Sequence, residues 1–528
     1  MNFSVEQNKS KILVNWQDVN ADYYKVFVKN KDGVFECAKT EDTLFAQISL
    51  VPYGRNEFYV QAFKGDKLID ETKPKTVIFE AVDAYVFENG EKYNFVYSKY
   101  RGASGYRLYK NENGFVGCKN SKTETLVIEK PNENLFKIKP FKDDENGRNF
   151  LASSEPIFLT KFEFTSLYKS YDGLFLSWNY NGNADGFYVY AQNNDQPIFT
   201  TNEYLRHYCT IKNFGENAKF IVKAFINTSK GRMTIAESGV VEIKARNYTH
   251  PEISLIIPAY NSENYIARSI DSALANNFDD LEIVIVNDGS KDNTQQILDW
   301  YSKNYPNVSV YTKQNGGVAD TRNVGIKNAK GKFIAFMDND DLIRPDMMSI
   351  LYNAIVENAC DIAIAPLYRI IDKGYTVHQV LPFKNNEAID IDEWLKIAYT
   401  PGYYNCAIWN KLYKAELVKS HPLGILKYED VSWTPCIMSW AKNLVYVSKP
   451  LYEWDRKTRP ETFGDVLAKQ PEDQLFEHRK QAMMFFVNEG NPDKKDFLKA
   501  LAIRRLKRYS KNSSNNSYNE LIDYVNSL

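Results

Sequence analysis

Two short patterns each recur three times at a spacing of roughly 80 residues, an internal period that narrows the choice of fold sharply. The first is ILVNW at Ile12–Trp16, YNFVY at Tyr93–Tyr97 and LFLSW at Leu174–Trp178. Each is followed by a second run, YKVF from Tyr24, YRLY from Tyr106 and FYVY from Phe187. The other pattern is FYVQAF from Phe58, FKIKPF from Phe136 and FIVKAF from Phe220. Short runs rich in Val, Ile, Tyr and Phe, separated by Asn, Gly, Asp and Lys turns, read as strands. The N-terminal part is therefore expected to be three all-β sandwich modules, at 1–81, 82–160 and 161–247. Their boundaries fall near Glu80–Asp83, Leu159–Phe162 and Ala245–His250. Within each module a Trp or Tyr on one inner strand is expected to pack against the sheet that carries the Phe-x-Val/Ile pattern. Such modules serve as spacers or scaffold, or present exposed tyrosines as a glycan or partner surface.

At Pro251 the texture changes. Ile253–Tyr260 (ISLIIPAY) and Leu281–Ser290 (LEIVIVNDGS) begin as near-continuous apolar runs, as doubly buried parallel strands do. Helical spacing follows the first, with Ser262 as the expected N-cap. Further strands are read at Val308–Thr312, Phe333–Met337 and Asp361–Leu367, with helices between them and a glycine-opened helix over Asn315–Gly331. The alternation predicts an α/β domain with a doubly wound parallel sheet, at 248–460, whose ligands bind outside the carboxyl ends of the strands. Those ends, at Pro258–Asn261, Asn287–Ser290 and Asp338–Asp341, should line one crevice. Lys332–Leu342 (KFIAFMDNDDL) is the most telling, because an apolar strand ends in Asp338, Asn339, Asp340 and Asp341. Carboxylates at the rim of a core repel one another unless a cation compensates. Asp338 and Asp340, two apart, would point the same way from an extended segment and suit a hard divalent ion. The competing reading is a solvated turn with Asp341 capping the next helix. Neither a G-x-G-x-x-G nor a G-x-x-x-x-G-K-[ST] pattern is present, so neither a dinucleotide fold nor a P-loop is signalled.

PAYNSENYIARSIDSAL, VNDGSKDNT, QNGGVADTRNVG, FMDNDD, WNKLY and YEDVSW stand in the order of the inverting family 2 glycosyltransferases, and the segment from Pro251 to Arg459 resembles that family. The resemblance implies a GT-A (Rossmann-like) fold and transfer from a nucleoside-diphosphate sugar, expected to be a UDP-sugar. The acceptor would be a hydroxyl of a glycan or a lipid-linked glycoconjugate, in bacterial surface polysaccharide synthesis. It implies that Pro258, Ala259, Tyr260 and Glu263 line the nucleotide end, that Asp288 meets the base with Arg322 beside it, and that Asp338 and Asn339 meet the ribose side. Asp340 would hold Mn²⁺ or Mg²⁺. Asp430 would be the catalytic base, with Glu429, Trp409, Asn410 and Lys411 on the acceptor side. Thr321, Asn287 and Trp433 depart from the family's usual residues. The chemistry agrees with these types. A metal neutralises the departing diphosphate, and one carboxylate that takes the acceptor's proton without a second nucleophile gives single-displacement inversion. Structural alternatives are a strand-to-helix turn at Asp288–Ser290, a helix cap at Asp430 and an Arg322–Asp288 pair. The rival function is a non-catalytic nucleotide-sugar- or glycan-binding scaffold that uses the β modules.

Net charge is −1 over 528 residues, which gives no basic field for nucleic acid. Six scattered cysteines without a CxxC pair read as free thiols of a reducing compartment. The polar N-terminus lacks a signal-peptide core, and no run reaches the length of a membrane span. A cytoplasmic protein is expected, and the sequence leaves its oligomeric state open. The five histidines show no metal-ligand spacing. Arg456 or Arg459 could reach the diphosphate. Residues 461–528 read as a helical extension, with a basic amphipathic stretch at 494–511 suited to packing on its neighbour or to peripheral contact with an anionic membrane. A polar spacer, Asn512–Ser517, precedes a last short helix.

Overall fold

Alternation makes Lys11–Trp16 a strand with one dry face: Ile12, Val14 and Trp16 are buried, and the residues between them are half-exposed. In the computed structural model this logic recurs in each N-terminal repeat. The structure describes residues 1–8, 11–30, 33–40, 44–51, 54–79, 84–89, 92–98, 100, 103–110, 114–120, 125–129, 135–144, 147–154, 157–158, 161–182, 184–202, 206–215, 217–228, 230–243, 250–371, 374–398, 406–456, 469–511 and 517–528. They form two compact units, 1–167 with 176–243 and 168–175 with 244–528. The expected boundary Glu80–Asp83 lies outside the described residues, as do 159–160 and 245–249 of the other two boundaries, Arg459, and 512–516 of the expected spacer.

In the first unit each repeat sets a three-stranded sheet beside a larger one. In the first repeat, Ile12, Val14 and Trp16 of one sheet share a core with Tyr24, Val26, Val28, Phe58 and Val60 of the other. In the second, Phe95 and Tyr97 meet Tyr106, Leu108, Phe136 and Ile138. In each module the inner-strand Trp or Tyr packs on the sheet that carries the Phe-x-Val/Ile strand, through a ring of its neighbouring strand: Trp16–Tyr24 at 5.6 Å, Tyr97–Tyr106 at 4.5 Å and Trp178–Phe187 at 5.3 Å between ring centroids. The N-terminal sandwiches are all-β, as the repeat period implies.

The second unit is α/β. Its elements are β1 (Ile253–Ala259), α1 (Ile266–Leu274), β2 (Leu281–Asn287), α2 (Thr294–Asn304), β3 (Val308–Thr312), α3 (Val318–Asn328), β4 (Phe333–Phe336), β5 (Leu342–Ile343), α4 (Met347–Glu357), β6 (Ile362–Ile364), β7 (Leu367–Ile371), β8 (Gly374–His378), β9 (Glu387–Asp390), α5 (Ile391–Ala398), β10 (Lys411–Lys414), α6 (Ala415–Ser420), α7 (Glu429–Trp440), β11 (Asn443–Tyr446) and β12 (Tyr452–Asp455). Among the described residues three more helices follow, α8 (Glu472–Glu489), α9 (Lys495–Ser510) and α10 (Ser517–Ser527). The main sheet runs β3-β2-β1-β4-β10-β6-β11-β9. β1 to β4 are mutually parallel, but β10 lies antiparallel between β4 and β6, and β9 is antiparallel at the edge. The parallel sheet expected from the alternation holds for β1 to β4, and WNKLY departs from it by feeding a strand into the middle of the sheet in the reverse sense. A second sheet, β5-β12-β7-β8, stands apart from it.

Two local expectations also change. Helix α1 starts at Ile266 with Tyr265 as N-cap residue, and the Ser262 hydroxyl makes no hydrogen bond to a helix amide, so the side-chain cap expected there is not formed. Asp338–Asp341 is a turn, closed by the Asp341 amide to the Asp338 carbonyl at 3.3 Å, not an extended segment. Helices α8 to α10 are no loose tail. Phe476, Met483, Phe486, Leu498, Leu501, Leu506 and Tyr518 belong to the same core cluster as Trp433 and Ile437 of α7 and Phe336 of β4.

Candidate functional site

The site begins where β1 and β2 end. The Asp288 amide donates to the Ala259 carbonyl at 2.8 Å, joining the two strand ends. Beyond them the loops are laced together. The Asn261 amide donates to Ser290 Oγ at 3.0 Å, and Asn261 Oδ1 accepts from the Lys291 amide at 2.8 Å. Glu263 Oε2 accepts from the Asn293 amide at the start of α2, 2.9 Å away. Pro258 and Ala259 are buried at the strand end, whereas Tyr260 is 47% exposed. Asn287 uses both ends of its amide, donating to Gln295 Oε1 at 2.7 Å and accepting from Ser290. A carboxylate there could not donate to Gln295, which accounts for the departure from Asp.

Asp288 is buried and heavily engaged. Its carboxylate accepts from Lys313 Nζ at 2.6 Å and from the Gly316 and Gly317 amides at 2.9 and 2.8 Å. Gly317 has φ +89 and opens α3, so the anion sits against that helix's free amides. Gly289 has φ +72, and a Cβ there would stand 3.1 Å from the Asn315 amide nitrogen, so the turn after Asp288 favours glycine. Lys313 was invisible to sequence reasoning because it follows β3 in no motif.

One turn into α3, Arg322 is 3% exposed and reaches two acids. Its guanidinium donates to Asp338 Oδ1 and to Glu429 Oε1, both at 2.6 Å. It does not pair with Asp288, which corrects that alternative. Burial opposes ionisation of Arg322, but the two carboxylates outweigh it and raise its pKa. Arg322 thereby ties the acidic turn after β4 to the start of α7. Thr321 returns its hydroxyl to the Gly317 carbonyl at 2.8 Å, so its replacement of Ala adds no unsatisfied group.

The acidic turn is held by its backbone. The one Ser269 hydroxyl proton is shared between the carbonyls of Asn339 and Asp341, 2.9 and 2.8 Å from Oγ, and Arg268 donates to the Asp340 carbonyl at 3.0 Å. Asp338, Asn339 and Asp340 are half-buried. Asp341 is buried and accepts from Tyr452 Oη at 2.8 Å and from the Asp455 amide at 3.0 Å, so it is not a helix cap. Burial, then the charges of Asp340 and Asp338, push the Asp341 carboxyl well above the usual range. That crowding is a surplus of negative charge that suits a divalent cation. Among the described residues no three His, Cys, Asp or Glu side chains converge as a metal site.

Glu429 and Asp430 open α7 directly after Tyr428, which adopts φ 57, ψ 44 in the left-handed region. A non-glycine residue there carries local strain of the kind found at functional sites. Asp430 is a residue of the first helical turn, not the cap itself. Its Oδ1 accepts from the Val431 amide at 2.8 Å and its Oδ2 from the Cys406 thiol at 3.5 Å. Burial and the neighbouring Glu429 charge push it up to about 7, against the pull of the Val431 amide, Arg322 and Cys406.

Not all expected acceptor-side residues face outward. Trp409 stacks on Tyr452 at 4.1 Å and 18°. Asn410 and Lys411 are fully buried. Asn410 donates to Gln379 Oε1 at 2.7 Å, and the Lys411 amine donates to the Ala407 carbonyl and to Asn410 Oδ1. These two residues support the sheet and the ground beneath Asp430; they are not open to an acceptor, because β10 is an interior strand. Burial lowers Lys411 to about 7, with Cys406 and Asp430 opposing. Trp433 is core as well, its indole N–H donating to the His421 carbonyl at 2.7 Å. Arg456 lies over the Trp454 ring at 5.2 Å.

A Rossmann-like sheet with acids at its strand ends, and one more acid across from them, is the layout of a glycosyltransferase domain. Residues 254–418 match the family model described as Glycosyl transferase family 2. The chain carries a family 2 glycosyltransferase domain. The chain is 28% identical to the Escherichia coli K12 protein named "Uncharacterized glycosyltransferase YibD", over 38% of this chain and 61% of that one. It is 28% identical to "Glycosyltransferase GlyA" of Streptococcus pneumoniae, over 46% of this chain and 35% of that one. A shorter stretch of 100 residues is 44% identical to "Chondroitin synthase" of Pasteurella multocida, covering 19% of this chain and 10% of that one. The chain thus spans less than two thirds of the length of each of these relatives.

Proposed function

We propose that this chain is a metal-dependent, inverting glycosyltransferase that moves a sugar from a nucleoside-diphosphate donor to a hydroxyl of a growing glycan. The observation that carries the reading is the Arg322 bridge, which holds the acidic turn and the Glu429–Asp430 pair to one guanidinium. Asp430, near neutrality, is the base that takes the acceptor proton. Asp340 anchors Mn²⁺ or Mg²⁺, which supplies charge neutralisation at the leaving diphosphate. Asp288, set against Lys313 and the α3 amides, lies at the nucleotide end with Pro258, Ala259, Tyr260 and Glu263, and Asp338 and Asn339 form the ribose side. A UDP-sugar donor follows from the family resemblance, and a surface polysaccharide product agrees with the stretch shared with a chondroitin synthase. The proposed architecture is three modules at 1–81, 82–160 and 161–247, the catalytic domain at 248–460 and its helical extension at 461–528. Exposed Arg504, Lys507 and Arg508 on α9, with Lys511 just after it, would be the face for any anionic membrane surface.

A second role, glycan holding by the β modules, has its own support. On the outer side of the second module's larger sheet, Lys139 lies over the Tyr109 ring at 4.8 Å, beside Phe150, which is 47% exposed. The third module repeats the arrangement with Lys223 over Tyr190 at 5.1 Å. Rings with flanking cations suit an anionic sugar chain.

The test is release of nucleoside diphosphate from a panel of nucleotide sugars with Mn²⁺ or Mg²⁺. One donor should be turned over, and EDTA should stop it. Binding without release, or release indifferent to EDTA, would move the reading to a scaffold or to a metal-free enzyme respectively.

A further inference from the structure

Helix α7 contains Pro435. In an α-helix the carbonyl of residue i accepts from the amide of residue i+4, so the partner of the Val431 carbonyl would be residue 435. Proline has no N–H to give. Arg505, from α9, supplies the missing donor: its Nη1 donates to the Val431 carbonyl at 2.8 Å. Val431 is also the residue whose amide donates to Asp430 Oδ1 at 2.8 Å. One peptide unit on each side of Val431 thus links the guanidinium to the base.

We infer that Arg505 is a positioning residue for the reaction, standing in for the backbone donor that Pro435 lacks and so fixing Val431 and the carboxylate of Asp430. The inference rests on the reading of Asp430 as base. Arg505 is well placed for this work. Its guanidinium lies over the Phe486 ring of α8 at 5.4 Å, and Leu498, Leu501, Ala502 and Leu506 bury the same helix in the shared core. The second oxygen of Asp430 has separate support, from Cys406, whose carbonyl is in turn bonded by Thr434 Oγ1 at 2.6 Å. The charged and titratable groups that bear on Asp430 are Glu429 on its own helix, Arg322 of α3, Cys406 before β10 and Lys411 of β10. Loosening Val431 weakens the one amide bond to Asp430 and leaves those groups in place. The base then becomes easier to protonate.

The experiment is a cycle in the full chain, read by initial rates with a turned-over nucleotide sugar and metal across pH. Arg505→Ala should lower kcat by on the order of tenfold to a hundredfold with donor KM little changed, the scale of a small misplacement of a reacting group. The acid limb of its pH profile should move to higher pH. Arg505→Lys should retain most activity. Pro435→Ala restores a backbone N–H, so Arg505→Ala/Pro435→Ala should recover much of the lost kcat. A kcat for Arg505→Ala within twofold of the parent overturns the inference, and so does a loss that Pro435→Ala fails to repair. Should Arg505→Ala not fold, Arg505→Gln enters the same cycle and is judged by the same rescue. Asp430→Asn is the separating control. Full activity in it sinks the base assignment, whereas a dead Asp430→Asn beside an active Arg505→Ala sinks the role of Arg505 alone.

Discussion

With Asp430 as the proposed base, its pKa sets how turnover should depend on pH. A base works only when ionised, and burial with a neighbouring Glu429 holds Asp430 at about 7. About a tenth of the molecules carry the active carboxylate at pH 6 and about nine-tenths at pH 8. Transfer under saturating donor should therefore climb through neutrality and level off above it. Asp430→Asn should cost on the order of 10²–10⁴ in kcat while donor affinity, measured by calorimetry, stays within a few-fold. A flat profile between pH 6 and 8 in the parent would remove the base from this position. Asp340 was legible as a residue because an apolar strand ends abruptly in acids there, and Asp430 only through the resemblance that YEDVSW carries. Lys313, Cys406 and Tyr452 were not, since each reaches the site by a tertiary contact with no local pattern.

Among the elements, the strands announced themselves best. β1 and β2 are buried at every position, and unbroken apolar runs can hardly be placed elsewhere. The reversed strand β10 was not legible, because a run of four residues carries no sign of its direction. Helix α1 holds a second consequence of burial. Asp271 is 1% exposed, and its carboxyl is pushed up to about 7 by desolvation, against hydrogen bonds from Ser170 and Tyr301. An unfolded carboxyl titrates near 3.9. The folded chain therefore binds this proton more tightly, so the stability it contributes is full below about pH 4 and is lost as pH rises through about 7. Asp271→Asn removes that dependence. The variant should melt above the parent at pH 8, by an amount worth up to about 4 kcal/mol, and the gap should close by pH 4. A gap that is constant with pH would mean that Asp271 stays ionised in the folded chain.

At the scale of the second unit, the change of texture at Pro251 marked where the α/β architecture begins, but the tail was harder to judge. Its basic stretch invited a membrane reading, since hydrophobic positions along one helix do not say what covers them. The structure covers them with protein. Leu498, Leu501, Ala502 and Leu506 of α9 and Phe486 of α8 share a core with Trp433 and Ile437 of the helix that bears Asp430. Fully burying a Leu, Phe or Met side chain is worth about 1.5–3 kcal/mol, so several such residues together are comparable to the roughly 5–15 kcal/mol that separates most folded domains from unfolded ones. Removing residues 469–528 should therefore give a chain that aggregates or melts far below the parent, with transfer lost. If the extension were instead an independent membrane anchor, the truncated chain would stay soluble, melt cooperatively near the parent temperature and turn over soluble acceptors at the parent rate. Thermal melts and diphosphate release on the two chains decide between a shared core and an appended anchor.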